Sequence, residues 1–430
     1  MSTAETPKLQ KRHVFAVMIG GIVEYYDFVV FTFFAIQIGH AYFPSTDPFA
    51  SLMLSLATFG IGFAARPLGG LVIGAYADRA GRRPALTLTL VLMGLAITGM
   101  ALIPSYATIG IAAPVLAVTA RLVQGFALGG EIAPSISCML EGADTRRRGL
   151  WVGFFATYSS AGALVGSSVG LVLSYVLSRA ALDADGWRIA FLLGALTLPL
   201  GVWLRRSLPE TYSAPEQREE RHGWRSLGRH KRILALNLVT VAGGNIGFYI
   251  LQYTTTYAQN VLHLSARVGF ASTVTLNLVG TIALILAGWL SDSVGRRPVF
   301  IWARIAMAVA AVPIFAWIAA DRSPVSLLVG LSLLALLHQV GTGAAWVWFA
   351  EMLPIEIRGR GYGTVFGLGV ALFGGTAQLV VTWLIHVTGS ELAPAWYLVA
   401  AYVLGSVAGM LLPETAPARS DAAPLRTAAA

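Results

Sequence analysis

Asp78-Arg79-Ala80-Gly81-Arg82-Arg83-Pro84 returns 214 positions later as Asp292-Ser293-Val294-Gly295-Arg296-Arg297-Pro298. Each copy stands between two long apolar runs, so one charged turn recurs at matching places in two halves of the chain. A second echo follows. Glu141 precedes Arg148-Gly149 by seven residues and Glu351 precedes Arg358-Gly359 by seven, at an offset of 210. Two echoes at similar offsets mark an internal duplication.

Outward from these turns the chain is poor in charge. Only 12% of its 430 residues are charged and 56% are hydrophobic, against roughly 25% charged in soluble domains. About 20 apolar residues cross a bilayer. Such runs occupy 14–41, 50–77, 85–104, 110–140, 150–177 and 188–206, then 232–260, 267–290, 299–320, 324–350, 361–388 and 393–412. The predicted fold is therefore all-α and polytopic, with twelve transmembrane helices in two pseudo-symmetric six-helix lobes. The N-terminal lobe takes 1–206, a charged cytoplasmic linker 207–231 and the C-terminal lobe 232–412. An Ala- and Pro-rich tail, 413–430, is predicted to be a disordered cytoplasmic segment.

Placing both termini in the cytoplasm puts 23 of the 30 Lys and Arg on the inner side and leaves Arg179, Arg188, Arg267 and Arg322 outside. That asymmetry is the positive-inside pattern, and it predicts a bacterial-type inner membrane. It also accounts for the net charge of +9 without a nucleic-acid partner, because the basic residues are dispersed among short loops. The first apolar run continues past Glu24 and Asp27, unlike a cleavable signal peptide. Cys138 is the sole cysteine, which excludes an intramolecular disulfide or a cysteine metal cluster. No H-E-x-x-H or G-x-S-x-G motif suggests an enzyme. No metal and no cofactor are expected.

The D-x-x-G-R-R-P turn after the second and eighth of twelve spans resembles the signature of the major facilitator superfamily. Glu24-Tyr25-Tyr26-Asp27-Phe28, Arg66-Pro67-Leu68-Gly69, Arg121-Leu122-Val123-Gln124-Gly125-Phe126 with Gly129-Gly130-Glu131, Gly186-Trp187-Arg188 and Phe373-Gly374-Gly375-Thr376 resemble its metabolite:proton symporters. The stretch from Leu52 to Ile111 and Leu262-His263-Leu264-Ser265-Ala266-Arg267 resemble the citrate and tricarballylate carriers most. The resemblance implies a proton-coupled symporter, driven by the proton gradient, that imports a small organic acid such as citrate by alternating access. Its alternatives are a symporter of a zwitterionic osmolyte or a shikimate-like acid, or an uncoupled uniporter or exporter of the same fold. The partners expected are an organic anion, a proton and the lipid bilayer, for a protein acting as a monomer.

An ionisable side chain in the hydrocarbon costs at least ~2.5 kcal/mol, which makes each one a functional candidate. The spans hold Glu24, Asp27, Glu131, Arg66, Arg121, Arg304 and His338. At about 1.5 Å per residue, Asp27, Arg66 and Glu131 lie near mid-membrane and Arg121 in the outer half. Arg304 is near enough to an inner end to snorkel. Asp27 paired with Arg121 is the expected proton-coupling site, with Glu24 and Glu131 beside it. The pairing is similar to one in proton-coupled sugar porters of the superfamily; the alternative is a static salt bridge. Arg66 and Arg121 offer planar forks for a substrate carboxylate, while a helix-locking pair of Arg66 with Glu24 or Glu131 is the structural alternative.

In the second half Asn245, Tyr249, Gln252 and Thr256 share one helix face. Gly243-Gly244 beside them could break the helix there. His338, Thr342 and Trp346 form a similar stripe. Asn245, Tyr249, Gln252, His338 and Trp346 are accordingly candidate substrate contacts, interhelical glue being the alternative. The repeated turns suit gating: Asp78, Arg82, Arg83, Asp292, Arg296 and Arg297 can pair across the halves in one conformation and part in another.

Overall fold

Hydrocarbon offers no water to backbone N–H and C=O groups, so each apolar run must close its hydrogen bonds within itself. Every run does so as helix. The computed structural model describes residues 11–80, 82–129, 147–196 and 228–416, and helices fall on all twelve expected segments, with no strand among the described residues.

In the N-terminal lobe α1 runs Lys11–Phe33 and, past a 67° bend, continues as Ala35–Tyr42. Then come α2 (Pro48–Ala64, extended by Arg66–Ala80), α3 (Arg82–Leu102), α4 (Ala112–Leu128), α5 (Arg148–Val176) and α6 (Trp187–Ala195). The C-terminal lobe comprises α7 (Lys231–Gln252, extended by Thr254–Asn260), α8 (Ala266–Val294), α9 (Arg296–Asp321), α10 (Pro324–Glu351), α11 and α12 (Ala393–Met410). Helix α11 is Ile355–Gly369 and Gly375–Thr388 joined by a π-helical turn, Val370–Gly374.

Local chemistry sets the starts and stops. Asp47 accepts the Phe49 N–H at 2.9 Å ahead of Pro48 at the first position of α2. Ser323 and Ser326 form a capping box beside Pro324 at the start of α10. Both devices satisfy N–H groups that a helix start leaves without partners. Gly295, at φ 119°, permits the sharp turn from α8 into α9 that a side chain would strain.

Each of eight long apolar spans buries only 39–56% of its most apolar window. The other face of each helix therefore needs lipid, as at Trp302 and Val309 of α9, both 70% exposed.

The lobes meet along two seams. Helix α5 lies against α8, where a Cβ on Gly153 would come within 2.9 Å of the Leu284 carbonyl. Beside that seam Gln339 of α10 donates to Ser160 at 2.8 Å, and at its far end Arg267 donates to the Ser174 carbonyl at 2.9 Å. Helix α2 meets α11, where a Cβ on Gly60 would lie 2.6 Å from the Gly375 carbonyl and the Phe49 and His386 rings stack at 3.7 Å.

Two expectations need correction. Helix α7 does not break at Gly243-Gly244; it stays helical to Gln252 and interrupts at Tyr253. The glycines instead admit neighbours, a Cβ on Gly243 meeting the Ala401 carbonyl at 2.7 Å. The tail is ordered at its start: Pro413 accepts from the Trp348 indole at 2.8 Å and Glu414 caps the first N–H groups of α9 at 3.0 Å. Of the linker, residues 207–227 lie outside the described residues.

Candidate substrate cavity and interlobe lock

Close crossing of α2 and α4 places the N-terminal arginines. A Cβ on Gly62 would lie 3.0 Å from the Arg121 carbonyl, and one on Gly70 the same distance from the Gly129 carbonyl. Glycines of the sequence motifs therefore let two backbones touch, which brings Arg66 and Arg121 to one shared ring. Phe28 lies 4.5 Å from the Arg66 guanidinium carbon and 5.1 Å from that of Arg121. Arg66 also stacks on Phe63 at 4.4 Å, and Arg121 on Phe31 at 4.3 Å. Cation–π contacts of this kind hold a charge with less desolvation loss than aliphatic packing.

Arg121 is fully buried and bonds to Gln124 and to the Phe28 carbonyl at 3.3 Å. Asp27, 2% exposed, faces the other way on the same turn: its Oδ1 lies where a Cβ on Gly194 of α6 would go. The adjacent Tyr26 hydroxyl donates to the Ala190 carbonyl of α6 at 2.7 Å. In this conformation Asp27 thus lies against α6, while Arg121 of α4 holds Gln124 and the Phe28 carbonyl. Glu24 is buried on α1. Glu131 lies outside the described residues.

Between the lobes lies a cleft, open to solvent, with about 90 Å³ of room for the centres of water molecules. Arg66 and Tyr158 line it from one lobe; Asn245, Tyr249, His338 and Trp346 line it from the other. Arg121 is not part of its wall. Gln252 is not either: its amide pairs reciprocally with Asn277 of α8, at 2.8 and 3.2 Å. That contact makes Gln252 an interhelical tie, a partner choice that periodicity along α7 could not reveal.

Arg304 is the cavity residue that sequence reasoning missed. It does not snorkel. It is 2% exposed and lines the cleft, reaching inward from α9. Glycines on two other helices open its path: a Cβ on Gly341 would lie 3.1 Å from its Nε, and one on Gly244 3.3 Å from its Nη2. Its guanidinium stacks on Tyr402 at 4.7 Å, donates to Thr342 at 3.2 Å and meets His338 Nδ1 at 3.3 Å. Arginine only donates, so Nδ1 presents its lone pair, also to the Tyr402 hydroxyl at 2.5 Å, and His338 is neutral here. Gln378 adds a further support by donating to the Tyr249 carbonyl at 3.1 Å.

At the end of the bundle carrying the repeated turns, the C-terminal copy reaches across the lobes. Asp292 accepts the Gly149 and Leu150 N–H groups at the start of α5, each at 2.9 Å. A carboxylate is favoured there by the helix dipole. Arg296, fully buried, bonds to Asp292 at 2.6 Å and forks onto Glu351 at 3.3 and 3.4 Å. Arg297 reaches the Met410 carbonyl at 2.5 Å. Asp78, Arg82 and Arg83 lie on helical backbone, and their side chains are outside the described residues.

Two helical lobes around a charged central cleft define a membrane carrier rather than an enzyme. The Major Facilitator Superfamily profile matches residues 17–364, and the chain belongs to that superfamily. It is 33% identical over 95% of its length to the citrate-proton symporter of Salmonella typhi, covering 96% of that protein. To the glycine betaine/proline/ectoine/pipecolic acid transporter of Dickeya dadantii it is 31% identical, covering 96% of this chain and 86% of that one. The fold matches that of the proton:xylose symporter bound to 6-bromo-6-deoxy-D-glucose, with a TM-score of 0.77 at 19% identity over 94% of this chain and 96% of that one. The chain is thus a multi-pass membrane transporter related to proton symporters.

Proposed function

We propose that this chain imports a small organic acid, a di- or tricarboxylate such as citrate, together with a proton across a bacterial inner membrane. In this reading both termini are cytoplasmic and a monomer suffices. The observation that carries it is the charge of the cleft: Arg66 and Arg304 line it, and no carboxylate does so among its described lining residues. A buried cation with no counter-ion costs several kcal/mol, a loss that an anionic ligand offsets.

Asp27 is the proton carrier in this scheme. A carboxylate that alternates between a cation and an apolar neighbour can take up and release a proton, and Asp27 does so in this scheme as the α1 turn shares Arg121 or faces α6. The Asp292–Arg296–Glu351 cluster is the gate that holds α5 to α8 while that end is shut. Its N-terminal counterpart is the turn bearing Asp78, Arg82 and Arg83.

One observation favours a second reading. Trp346 and Phe366 rings pack at 5.2 Å in the cleft wall, with Tyr362 stacked behind at 5.9 Å, a surface that suits a quaternary ammonium. Uptake of labelled citrate, tricarballylate, 2-oxoglutarate, shikimate and betaine into proteoliposomes with an alkaline lumen separates the two. Citrate or tricarballylate should accumulate above its outside concentration. Accumulation of betaine alone rejects the organic-acid reading.

A further inference from the structure

Arg304 sits in a setting that packing alone does not explain. Helix α9 packs on α10 and α12 of its own lobe, and its outward face carries Trp302 and Val309 toward lipid. From this peripheral helix the arginine threads between Gly244 and Gly341 into the central cleft. Among the described residues its hydrogen-bonding neighbours, His338, Thr342 and Tyr402, include no carboxylate, and its Nε has no hydrogen-bond partner. Arg66, on the other lobe, also leaves its Nε without one. Neither forms an ion pair with a carboxylate among the described residues. The cleft therefore holds two cations, one per lobe, each fixed by aromatic rings and neither paired with a carboxylate among the described residues.

We infer that Arg304, held by His338, Thr342 and Tyr402, is a second carboxylate subsite, so that a substrate with two carboxylates is gripped by Arg66 on one lobe and Arg304 on the other. The inference rests on the organic-acid reading above and adds which residue holds the second carboxylate. A guanidinium fork pairs with a carboxylate through two parallel hydrogen bonds. Neutral His338 positions Arg304 without consuming its charge, which stays available to the ligand. A diacid bridging the cleft gains its second contact only when the lobes are near, so it draws them together. A monoacid occupies one subsite and exerts no such pull.

The test is competition against labelled citrate uptake in proteoliposomes, using succinate and butyrate, which share a four-carbon skeleton and differ by one carboxylate. Wild-type protein should prefer succinate at least tenfold, and Arg304→Gln should shrink that ratio about tenfold or more. A purely structural arginine lowers uptake of both acids without moving their ratio. If Arg304→Gln does not fold, Arg304→Lys, which keeps the charge and loses the fork, should give an intermediate ratio. Wild-type protein that transports neither citrate nor any other organic acid overturns the organic-acid reading itself. Citrate transport in which succinate and butyrate compete equally, or a ratio that neither substitution at Arg304 changes, overturns the second subsite alone.

Discussion

The two lobes repeat one sequence unit but carry different charges. Mid-span, the N-terminal lobe keeps Glu24, Asp27, Arg66 and Arg121, whereas the C-terminal lobe keeps Arg304 and His338 among hydroxyls and amides. At the 214-residue offset of the repeated turn, Gly280 answers Arg66 and Leu90 answers Arg304. Ionisable residues therefore do not follow the duplication that the turns and spans preserve. In the proposed scheme the backbone repeat serves the rocking of two equivalent bodies, and the unequal charges divide the labour: proton handling on one side, a shared grip on the anion between them.

The first way to break this contrast is to remove the N-terminal carboxylate. Asp27→Asn should abolish accumulation against a gradient while leaving counterflow exchange, as measured by labelled uptake with and without a pH gradient; intact accumulation would place the proton elsewhere. Next in size is Arg66→Gln. A hydrogen bond to a charged group contributes about 1.5–3 kcal/mol, so apparent substrate affinity should fall roughly tenfold to a hundredfold. Unchanged affinity would return Arg66 to a packing role.

The gate comes third. Asp292→Asn weakens two bonds to the α5 N-terminus and the pair with Arg296. Charge at a helix N-terminus is worth about 0.3–2 kcal/mol. A cysteine at Ser159 in the cleft should then react several-fold faster with a thiol reagent, and an unaltered rate would show that this contact does not hold the lobes. The smallest effect belongs to Gln252→Ala. Losing one intramembrane hydrogen-bonded pair should cost about 0.6 kcal/mol, seen as a slightly lower melting temperature with substrate affinity kept. A large affinity loss would restore Gln252 to the binding site.

Much of the architecture was legible because lipid enforces it. Apolar runs long enough to cross, the repeated D-x-x-G-R-R-P turn and the charged residues within spans all follow from a solvent that tolerates few alternatives. Within the site, Arg66, Asn245, Tyr249, His338 and Trp346 reach the cleft as helix position suggested. Arg304 was misjudged because its depth was counted along its own helix, while its route inward depends on Gly244 and Gly341 of two others. Gln252 was misplaced for a similar reason: its partner Asn277 stands on the next helix. Asp27 lies toward α6, while the neighbouring Phe28 carbonyl accepts from Arg121. Depth and face can be read from a sequence, but the neighbour that completes a contact is set by packing between helices.

Proton movement driven by substrate alone tests the account most directly. Liposomes carrying the protein and a pH-sensitive dye inside, clamped at zero membrane potential, should acidify internally when citrate is added outside, and Asp27→Asn liposomes should not. Internal acidification on adding betaine, with none on adding citrate, would contradict it.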